Sequence, residues 1–283
     1  MDNIIQWNCR GFRANFDELT ILALEHQPIL FCLQETFLKP TDNIKLRNYH
    51  SYNNYGNIIH DRATGGASIL VRQGVIHTCV NIDTTLQAVA VKITSHKIFT
   101  ICSLYIPPSY HLTNQELNHL YQQLPSPSII LGDFNGHHPM WGSAQNNNKG
   151  LIIEEFLSAN DLCLFNDGTY TYLHPGHGTY SSIDLSVTDP TLYLDWNWFV
   201  LKDTHGSDHF PIILESISGS QTTNQPRWKL NKADWKLFSD MAANILNLQA
   251  YVNYESPVEQ FTEDLIDIAN ISIPKTKGGT SQK

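Results

Sequence analysis

Several polar side chains of this sequence stand directly after apolar runs, and their types are those that hydrolyse phosphate esters. Asp133 and Asn135 follow the apolar residues 129–131, and in extended chain two residues two positions apart point to the same side. Their carboxylate and carboxamide could therefore hold one water molecule and one phosphate oxygen. Asp, Asn and Gly are also typical of a turn, and this stretch alone does not decide between a site and a turn.

Two further acids and one histidine follow the same pattern. Glu35 comes directly after the apolar residues 29–33 and could bind Mg²⁺, which prefers carboxylates, water and phosphate oxygens, or it could be an exposed loop acid. His209 is the candidate general acid/base or phosphate-binding group. In extended chain Asp208 faces away from His209, so Asp184 is the candidate acid that orients the imidazole.

The adjacent residues His137 and His138 suggest a different chemistry, a transition-metal site. No helical pair of histidines and no third ligand accompanies them, so zinc is not favoured. The sequence also lacks the glycine-rich dinucleotide loop, the Walker-type phosphate loop and the nucleophile elbow of α/β-hydrolases. Phosphate-ester hydrolysis by carboxylates, an amide and an imidazole remains the favoured chemistry.

The elements that position these residues are predicted from apolar spacing. Asn8 and Tyr105 each stand at the end of a predicted strand, and Thr113 and Glu116 have the spacing of a helix capping box. The predicted strands span residues 3–9, 29–33, 49–55, 66–72, 75–82, 86–93, 98–105, 129–131, 170–173, 182–187, 196–201 and 211–217. The predicted helices span residues 15–26, 113–124, 149–159, 232–247 and 257–270.

The order of these elements is mixed: strand–helix–strand, then a run of antiparallel-looking strands, then strand–loop–helix–strand. It predicts an α/β fold, a two-sheet sandwich of mixed, mainly antiparallel strands with flanking helices, rather than a regular barrel. Ligands of α/β folds bind where strands end. We expect one domain over residues 1–218, a polar linker over 219–228 and a helical segment over 229–283 with a disordered end.

Composition limits the class of protein. The 283 residues, of which 41% are hydrophobic and 11% aromatic, can build a large core. No apolar run reaches the roughly 20 residues of a membrane span, so we expect a soluble, intracellular protein without a membrane partner. The net charge of −9 argues against a broad basic surface but permits acids around a divalent cation. Reduced core thiols are predicted for the five cysteines, which are Cys9, Cys32, Cys79, Cys102 and Cys163.

Six motifs follow one another between residues 3 and 217. They are Trp7-Asn-Cys-Arg-Gly11, Leu33-Gln-Glu-Thr36, Tyr105-Ile-Pro-Pro108, Leu131-Gly-Asp-Phe-Asn-Gly-His-His-Pro-Met-Trp-Gly142, Thr179-Tyr-Ser-Ser-Ile-Asp184 and Ser207-Asp-His209. In this order they resemble the endonuclease/exonuclease/phosphatase superfamily, and most of all the AP-endonuclease-like domain of jockey-like non-LTR retrotransposons. The resemblance implies a DNase I-like, four-layer α/β sandwich.

The resemblance also implies how a metal ion would be held. Glu35 would bind Mg²⁺ directly and Asn8 would help to hold it, and Mn²⁺ would substitute. Asp208 would sit against the metal or the leaving group, supported by Ser207, which is also placed among the phosphate-binding residues.

The remaining matches imply roles in catalysis. Asp133 would activate or position the attacking water, and Asn135 beside it would contact the phosphate. His209, oriented by Asp184, would bind the scissile phosphate and stabilise charge in the pentacovalent state. Further contacts to phosphate oxygens are expected from Tyr105 and Thr171.

The implied function is Mg²⁺-dependent nicking of double-stranded DNA, in the nucleus, that leaves a 3′ hydroxyl for reverse transcription. A phosphomonoesterase with the same site and a non-catalytic DNA-binding module are the alternatives. The tail around Trp228 and Trp235 resembles the segment that leads toward a reverse transcriptase, so we expect such a domain as a partner, and the chain to be a fragment or a short reading frame. A local basic rim is expected to offset the acidic balance near the cleft, formed by Arg10, Arg13, Lys39, Arg62 and Arg72.

Overall fold

The computed structural model describes residues 2–95, 97–217, 228–245 and 257–275. The strands are β1 (Asn3–Asn8), β2 (Leu30–Gln34), β3 (Tyr49–Asn54), β4 (Asn57–Ile59), β5 (Arg62–Thr64), β6 (Ala67–Arg72), β7 (Ile76–Val80), β8 (Gln87–Thr94), β9 (Ile98–Tyr105), β10 (Ser128–Asp133), β11 (Cys163–Leu164), β12 (Tyr172–Leu173), β13 (Tyr180–Ser181), β14 (Asp184–Thr188), β15 (Trp196–Val200) and β16 (Ile212–Ser216). The helices are α1 (Phe16–His26), α2 (Asn114–Gln122), α3 (Asn148–Ala159), α4 (Pro190–Tyr193), α5 (Trp235–Ile245) and α6 (Pro257–Ser272).

Two six-stranded sheets form the first unit of the chain, Met1–Gly219. Their strand orders are β15-β16-β1-β2-β6-β3 and β11-β14-β10-β9-β8-β7. All pairings within them are antiparallel except β1 with β2 and β9 with β10. The predicted two-sheet sandwich of mixed, mainly antiparallel strands is confirmed.

The two parallel pairs explain where polar residues gather. A helix connects the members of each pair, α1 between β1 and β2 and α2 between β9 and β10, because parallel strands need a crossover. In the pairing register, Asn8 lies opposite Gln34 in one sheet, and Asp133 lies opposite Tyr105 in the other. The carboxyl ends of β1 and β2 therefore lie side by side in one sheet, and those of β9 and β10 lie side by side in the other. We call these strand ends, marked by the four residues, the site edge.

Four layers bury the apolar side chains in three clusters. The central cluster lies between the sheets and includes Ile4, Ile101 and Leu131. The outer face of the first sheet packs against α1 through residues such as Trp7, and that of the second packs against α2 and α3 through residues such as Phe156. Successive residues of a strand point to opposite faces of the sheet, so these apolar runs fill both the central and the outer clusters.

Polar contacts also join the two sheets within the buried layer. Gln34 Nε2 donates to Ser103 Oγ over 2.9 Å, and Ser186 Oγ donates to Gln6 Oε1 over 3.2 Å. Each bond links a strand of one sheet to a strand of the other. Because an unpaired buried polar group is costly, these bonds fix how one sheet lies over the other.

Several features of the first unit differ from the predictions, and β11, β13 and α4 are among the elements that were not predicted. The short hairpin of β4 and β5 was not predicted, since residues 57–64 contain only one apolar pair and lie mostly exposed. All five cysteines are free, but Cys79 is exposed on the edge strand β7 and Cys163 is only half-buried, so the prediction of core thiols is wrong for these two. All residues of β7 are exposed or half-buried, whereas Cys32 and Cys102 lie in buried strands and the buried Cys9 directly follows β1.

The capping box predicted for α2 is confirmed. Thr113 accepts from the backbone N–H of Glu116 over 3.3 Å, and the Glu116 carboxylate accepts from the backbone N–H of Thr113 over 2.9 Å.

The second unit, Ser220–Lys283, contains α5 and α6, which lie within the predicted helical ranges or overlap them closely. Most of the predicted linker over 219–228 and the predicted disordered end after residue 275 lie outside the described residues. Within the described part of the chain, no helix has both the length and the apolar character needed to cross a bilayer.

Candidate active site

A buried group of four polar side chains joins the two sheets at the site edge. Asn8 Nδ2 donates to Asp133 Oδ2 over 2.8 Å and lies 3.3 Å from His209 Nε2. His209 Nδ1 lies 2.8 Å from Asp184 Oδ2, while its Nε2 lies 3.9 Å from Asp133 Oδ2. Asp184 pairs with Asp133 across β10 and β14, which accounts for both acids reaching one imidazole.

Glu35 and Tyr105 form a second contact beside this group. The Tyr105 hydroxyl donates to Glu35 Oε1 over 2.9 Å. Burial raises the pKa of Tyr105 well above its usual value, and the charges of Glu35 and Asp133 raise it further, so the phenol is neutral and acts as a donor. Glu35 itself is half-buried and has a left-handed backbone, with φ of 49°.

Asn135 does not continue the strand, so the expectation of an extended chain from Asp133 to Asn135 is wrong. The φ of Asn135 is 48°, and its backbone N–H donates to Asp133 Oδ1 over 3.0 Å. The Asn135 carboxamide instead donates to the carbonyl of Ile106 over 3.1 Å. The stretch is thus an Asx-type turn, which the Asp133 side chain stabilises. The same side chain belongs to the site, so the turn and the site are not alternatives.

Asp208 lies at the mouth of the site, where it pairs with Arg10. The guanidinium of Arg10 lies 3.3 Å from Asp208 Oδ2, and its side chain is more than half exposed. Ser207 Oγ lies 3.5 Å from Asp208 Oδ1 and donates to the carbonyl of Asn8 over 2.8 Å. Ser207 therefore ties the segment before His209 to the end of β1.

Thr171 is fully buried. Its hydroxyl accepts from the backbone N–H groups of Ile183 and Asp184, over 3.2 Å and 3.1 Å. The contacts it makes hold the segment that carries Asp184, and a direct contact to phosphate stays a prediction.

Two aromatic residues that sequence analysis missed hold His209 in place. Trp7 Nε1 donates to the carbonyl of His209 over 3.1 Å. The Tyr172 ring lies 4.7 Å from the His209 ring, centroid to centroid, at an angle of 50°. Trp7 belongs to the same motif as Asn8, but nothing in the sequence pairs Tyr172 with His209, since their contact depends on how the β12–β13 hairpin folds back.

Burial and neighbouring charge shift the acid–base properties of the group. Burial raises the pKa of Asp133; the positive charge of His209 opposes this, and the negative charges of Asp184 and Glu35 add to it. Burial lowers the pKa of His209, but the charge and hydrogen bond of Asp184 outweigh this and raise the pKa above its usual value. Asp133 is therefore a stronger base than a free aspartate, and His209 holds its proton more firmly than a free histidine.

The donor set of this region fits a hard divalent cation. Asp133, Asp184 and His209 present ligand atoms within 4.8 Å of one another, and Asp184 Oδ1 is buried without a hydrogen-bond partner among the described residues. Glu35 adds a carboxylate whose charge acts on Asp133. Carboxylate oxygens outnumber nitrogen and sulfur is absent from this set, which suits Mg²⁺ or Mn²⁺ better than a soft metal.

The adjacent histidines of the His-His-Pro motif take part in local structure. The backbone N–H of His137 donates to Asn147 Oδ1 over 3.1 Å. His138 Nδ1 accepts from the backbone N–H of Met140 over 3.2 Å, and its ring lies 5.1 Å from the buried Trp141 ring. These contacts shape the loop that follows Asn135.

The expected basic rim is only partly placed at the site. Arg13 pairs with Asp42 over 2.6 Å, and Lys39 pairs with Asp61 over 2.7 Å. Like Arg10, both of these cations therefore have acidic partners. Arg62 lies in the exposed β4–β5 hairpin. Arg72 does not belong to the rim, and that expectation is wrong. It ends β6, which runs antiparallel to β2, so it lies beside the start of β2 at the opposite edge.

Comparison with known proteins shows what this chain is similar to. A family model described as endonuclease-reverse transcriptase, of the exonuclease–endonuclease–phosphatase type, matches residues 99–213. This match covers β9, β10 and β14 and therefore the strand ends that carry Tyr105, Asp133 and Asp184. Over these residues the chain is similar to the endonuclease domains that this family model describes.

Curated relatives of the chain are named RNA-directed DNA polymerases of transposons and mobile elements. The chain is 23% identical over 265 residues to the probable RNA-directed DNA polymerase from transposon X-element of Drosophila melanogaster. It is 22% identical over 296 residues to the RNA-directed DNA polymerase from mobile element jockey of the same species. These matches cover 92% and 96% of this chain but only 29% and 30% of the relatives. The chain thus spans less than a third of their length.

Solved structures of endonucleases share the fold. The endonuclease domain of TRAS1, a telomere-specific non-LTR retrotransposon, matches with a TM-score of 0.64 and 18% identity, over 76% of this chain and 97% of that one. An AP endonuclease from Archaeoglobus fulgidus matches with a TM-score of 0.58 and 16% identity, over 77% of this chain and 100% of that one. The resemblance inferred from the six motifs is confirmed.

Proposed function

We propose that this endonuclease/exonuclease/phosphatase domain is a Mg²⁺-dependent endonuclease that nicks double-stranded DNA and leaves a 3′ hydroxyl. The observation that carries the proposal is the meeting of Asn8, Asp133, Asp184 and His209 in one buried, hydrogen-bonded group, with Glu35 beside it. A protein that kept only the fold would not require acids, an amide and an imidazole to meet at one place.

The side chains divide the work of phosphodiester hydrolysis. Asp133, whose pKa is raised by burial, accepts a proton from the attacking water or positions that water. His209, held by Asp184, binds the scissile phosphate and stabilises the negative charge that develops on it. Asn135 and Tyr105, which lie beside Asp133, would contact phosphate oxygens.

Glu35 and Asn8 would hold the cation, with Asp208 beside it. When bound, Mg²⁺ or Mn²⁺ would neutralise negative charge that develops on the phosphate and the leaving oxygen. Arg10 pairs with Asp208 at the mouth of the site and is exposed enough to meet the DNA backbone.

The names of the relatives support a proposal for the partner, and we propose the place of action with it. Because the curated relatives are named RNA-directed DNA polymerases, we propose that the nicked strand primes reverse transcription by a reverse transcriptase domain. Double-stranded chromosomal DNA is then the substrate, and the nucleus is the place where it is cut.

Incubation with supercoiled plasmid tests the proposal. In Mg²⁺ we expect the wild-type chain to give relaxed circles that a DNA polymerase extends from the nick, and EDTA to abolish nicking. Asp133→Ala and His209→Ala should each lower the nicking rate by about 100-fold or more, whereas His119→Ala, an exposed histidine on α2, should not.

The alternatives predict other outcomes of the same assays. A phosphomonoesterase would hydrolyse small phosphate esters and leave the plasmid supercoiled. A non-catalytic module would retard duplex DNA on a gel without metal-dependent cleavage. Either result, or nicking that persists unchanged in Asp133→Ala, would overturn the proposal.

A further inference from the structure

A buried lysine, Lys149, lies close to the site but outside the group described above. It stands in the first turn of α3, and only 8% of the residue is exposed. Its ammonium group donates to the carbonyls of Pro107 and of Pro108, the latter over 2.8 Å. Both acceptors are neutral, and they follow Tyr105 in the chain by two and three residues.

A cation in such a place is costly, which makes its contacts informative. Burial lowers the pKa of Lys149, and the negative charge of Asp133 only partly opposes this shift. An apolar side chain of similar length, such as methionine, would fill the same space without losing hydration of a charge. The position therefore gains something from the donors that an apolar residue would not supply.

The first turn of α3 makes a second contact with the site through Asn147. The Asn147 carboxamide donates to the carbonyl of Asn135 over 3.1 Å and accepts from the backbone N–H of Gly150 over 2.8 Å. A Cβ on Gly150 would lie 1.9 Å from the carbonyl oxygen of His137, so only glycine allows the helix to approach this closely.

A third contact closes the ring. Asn135 Nδ2 donates to the carbonyl of Ile106 over 3.1 Å, and the backbone N–H of Ile106 donates to the carbonyl of Asp133 over 2.9 Å. The loop after β9, the loop after β10 and the start of α3 are thus joined pairwise. Lys149 supplies the link between the first and the last of these segments.

We propose that Lys149 is a positioning residue, whose bonds to Pro107 and Pro108 hold Tyr105 and Asn135 on either side of Asp133. Lys149 touches neither substrate nor the reacting atoms; it acts through the two loops. The kinetic part of this inference rests on the proposed nuclease function, whereas its structural part does not.

Hydrogen–deuterium exchange tests the structural part without any activity. In Lys149→Met we expect exchange in residues 106–111 and 134–138 to rise about tenfold, because a hydrogen bond to a charged group is lost. Residues 30–34 of β2 should exchange as in the wild type. Lys45→Met, an exposed lysine before β3, is the matched control and should change neither loop.

Steady-state nicking of duplex DNA tests the kinetic part. Displacing Tyr105 and Asn135 should lower kcat by about 10- to 100-fold and change KM by less than about twofold, because the substrate still binds while the reacting groups are misplaced. Lys149→Arg keeps the charge and the donors and should regain most of the lost kcat. A merely structural role would lower the yield of folded enzyme without this split.

The outcomes separate the two proposals. Unchanged exchange in both loops of Lys149→Met, or a kcat within about twofold of the wild type in a wild-type chain that nicks, would overturn the role of Lys149. If the wild type does not nick DNA, the proposed function fails, and the exchange pattern alone then decides whether Lys149 holds the loops.

Discussion

Tyr105 donates its hydroxyl to Glu35 over 2.9 Å, and this bond joins the two sheets at the site edge. Tyr105 ends β9 in the second sheet, and Glu35 directly follows β2 in the first. Neither residue could orient the other without the register that brings the ends of these strands to the same edge. The bond also holds one oxygen of the carboxylate.

Removing this hydroxyl should weaken cation binding more than folding. In Tyr105→Phe we expect the Mg²⁺ concentration for half-maximal nicking to rise about tenfold, because Glu35 loses the bond that orients it. A Mg²⁺ titration of the nicking rate measures this. Tyr121→Phe is the matched control, since Tyr121 donates to Asp189 over 3.0 Å away from the site. Equal Mg²⁺ dependence in both variants would contradict the role of Tyr105.

Asp184 and His209 should behave as a unit. Asp184→Asn removes the charge that raises the pKa of His209 and orients its ring, and we expect kcat to fall by about 10²- to 10⁴-fold. The double variant Asp184→Asn/His209→Ala should be no slower than His209→Ala alone, because groups that act together are not additive. If the fold-reductions in kcat of the two single variants multiply in the double variant, Asp184 acts independently of His209.

Arg10 should contribute to DNA affinity through charge. In Arg10→Ala we expect the slope of log K against log salt concentration to become shallower by about 1, because one phosphate contact is lost. Fluorescence anisotropy with a labelled duplex at several salt concentrations measures this slope. Arg72→Ala removes an arginine at the opposite edge and should leave it unchanged. A shallower slope in Arg72→Ala as well would place DNA elsewhere.

The α2 capping box should give a pH-dependent stability. Burial raises the pKa of Glu116, but hydrogen bonds from Tyr110, Thr113 and Thr85 outweigh this and lower it. Since the folded pKa lies below the unfolded value of about 4.3, the stabilisation is present above that value and is lost as the pH falls through the folded pKa.

Urea unfolding of Glu116→Gln at neutral and acid pH tests this dependence. The wild type should be the more stable protein at neutral pH, and the difference should shrink in acid. Glu155→Gln, an exposed acid on α3, is the control for the loss of one carboxylate. A difference between wild type and Glu116→Gln that is the same at both pH values would contradict the account.

Much of this arrangement could be predicted because it depends on local pattern. Apolar runs gave the strands and the residues at their ends, and alternation along the chain showed that Asp208 and His209 face apart, which left Asp184 as the partner of the imidazole. The capping box of α2 likewise depends only on residues 113 and 116. These features need no knowledge of which strands are neighbours.

Other features depend on contacts that the sequence does not encode locally. Arg72 was placed at the wrong edge because the direction of β6 relative to β2 follows from sheet pairing. The turn at Asn135 requires a positive φ, which Asn adopts readily but does not demand. Lys149 was missed because a lysine in the first turn of a helix is ordinarily exposed, and its burial results from the approach of α3 to the prolines.

Anomalous diffraction from a crystal soaked in Mn²⁺ tests most directly the claim that Glu35 and Asn8 hold one cation beside Asp133 and His209. The account predicts a single strong peak at coordination distance from the Glu35 carboxylate, about 2.2 Å, that is lost in Glu35→Gln. A peak that lies elsewhere in the first unit, or that persists beside Gln at position 35, would contradict it.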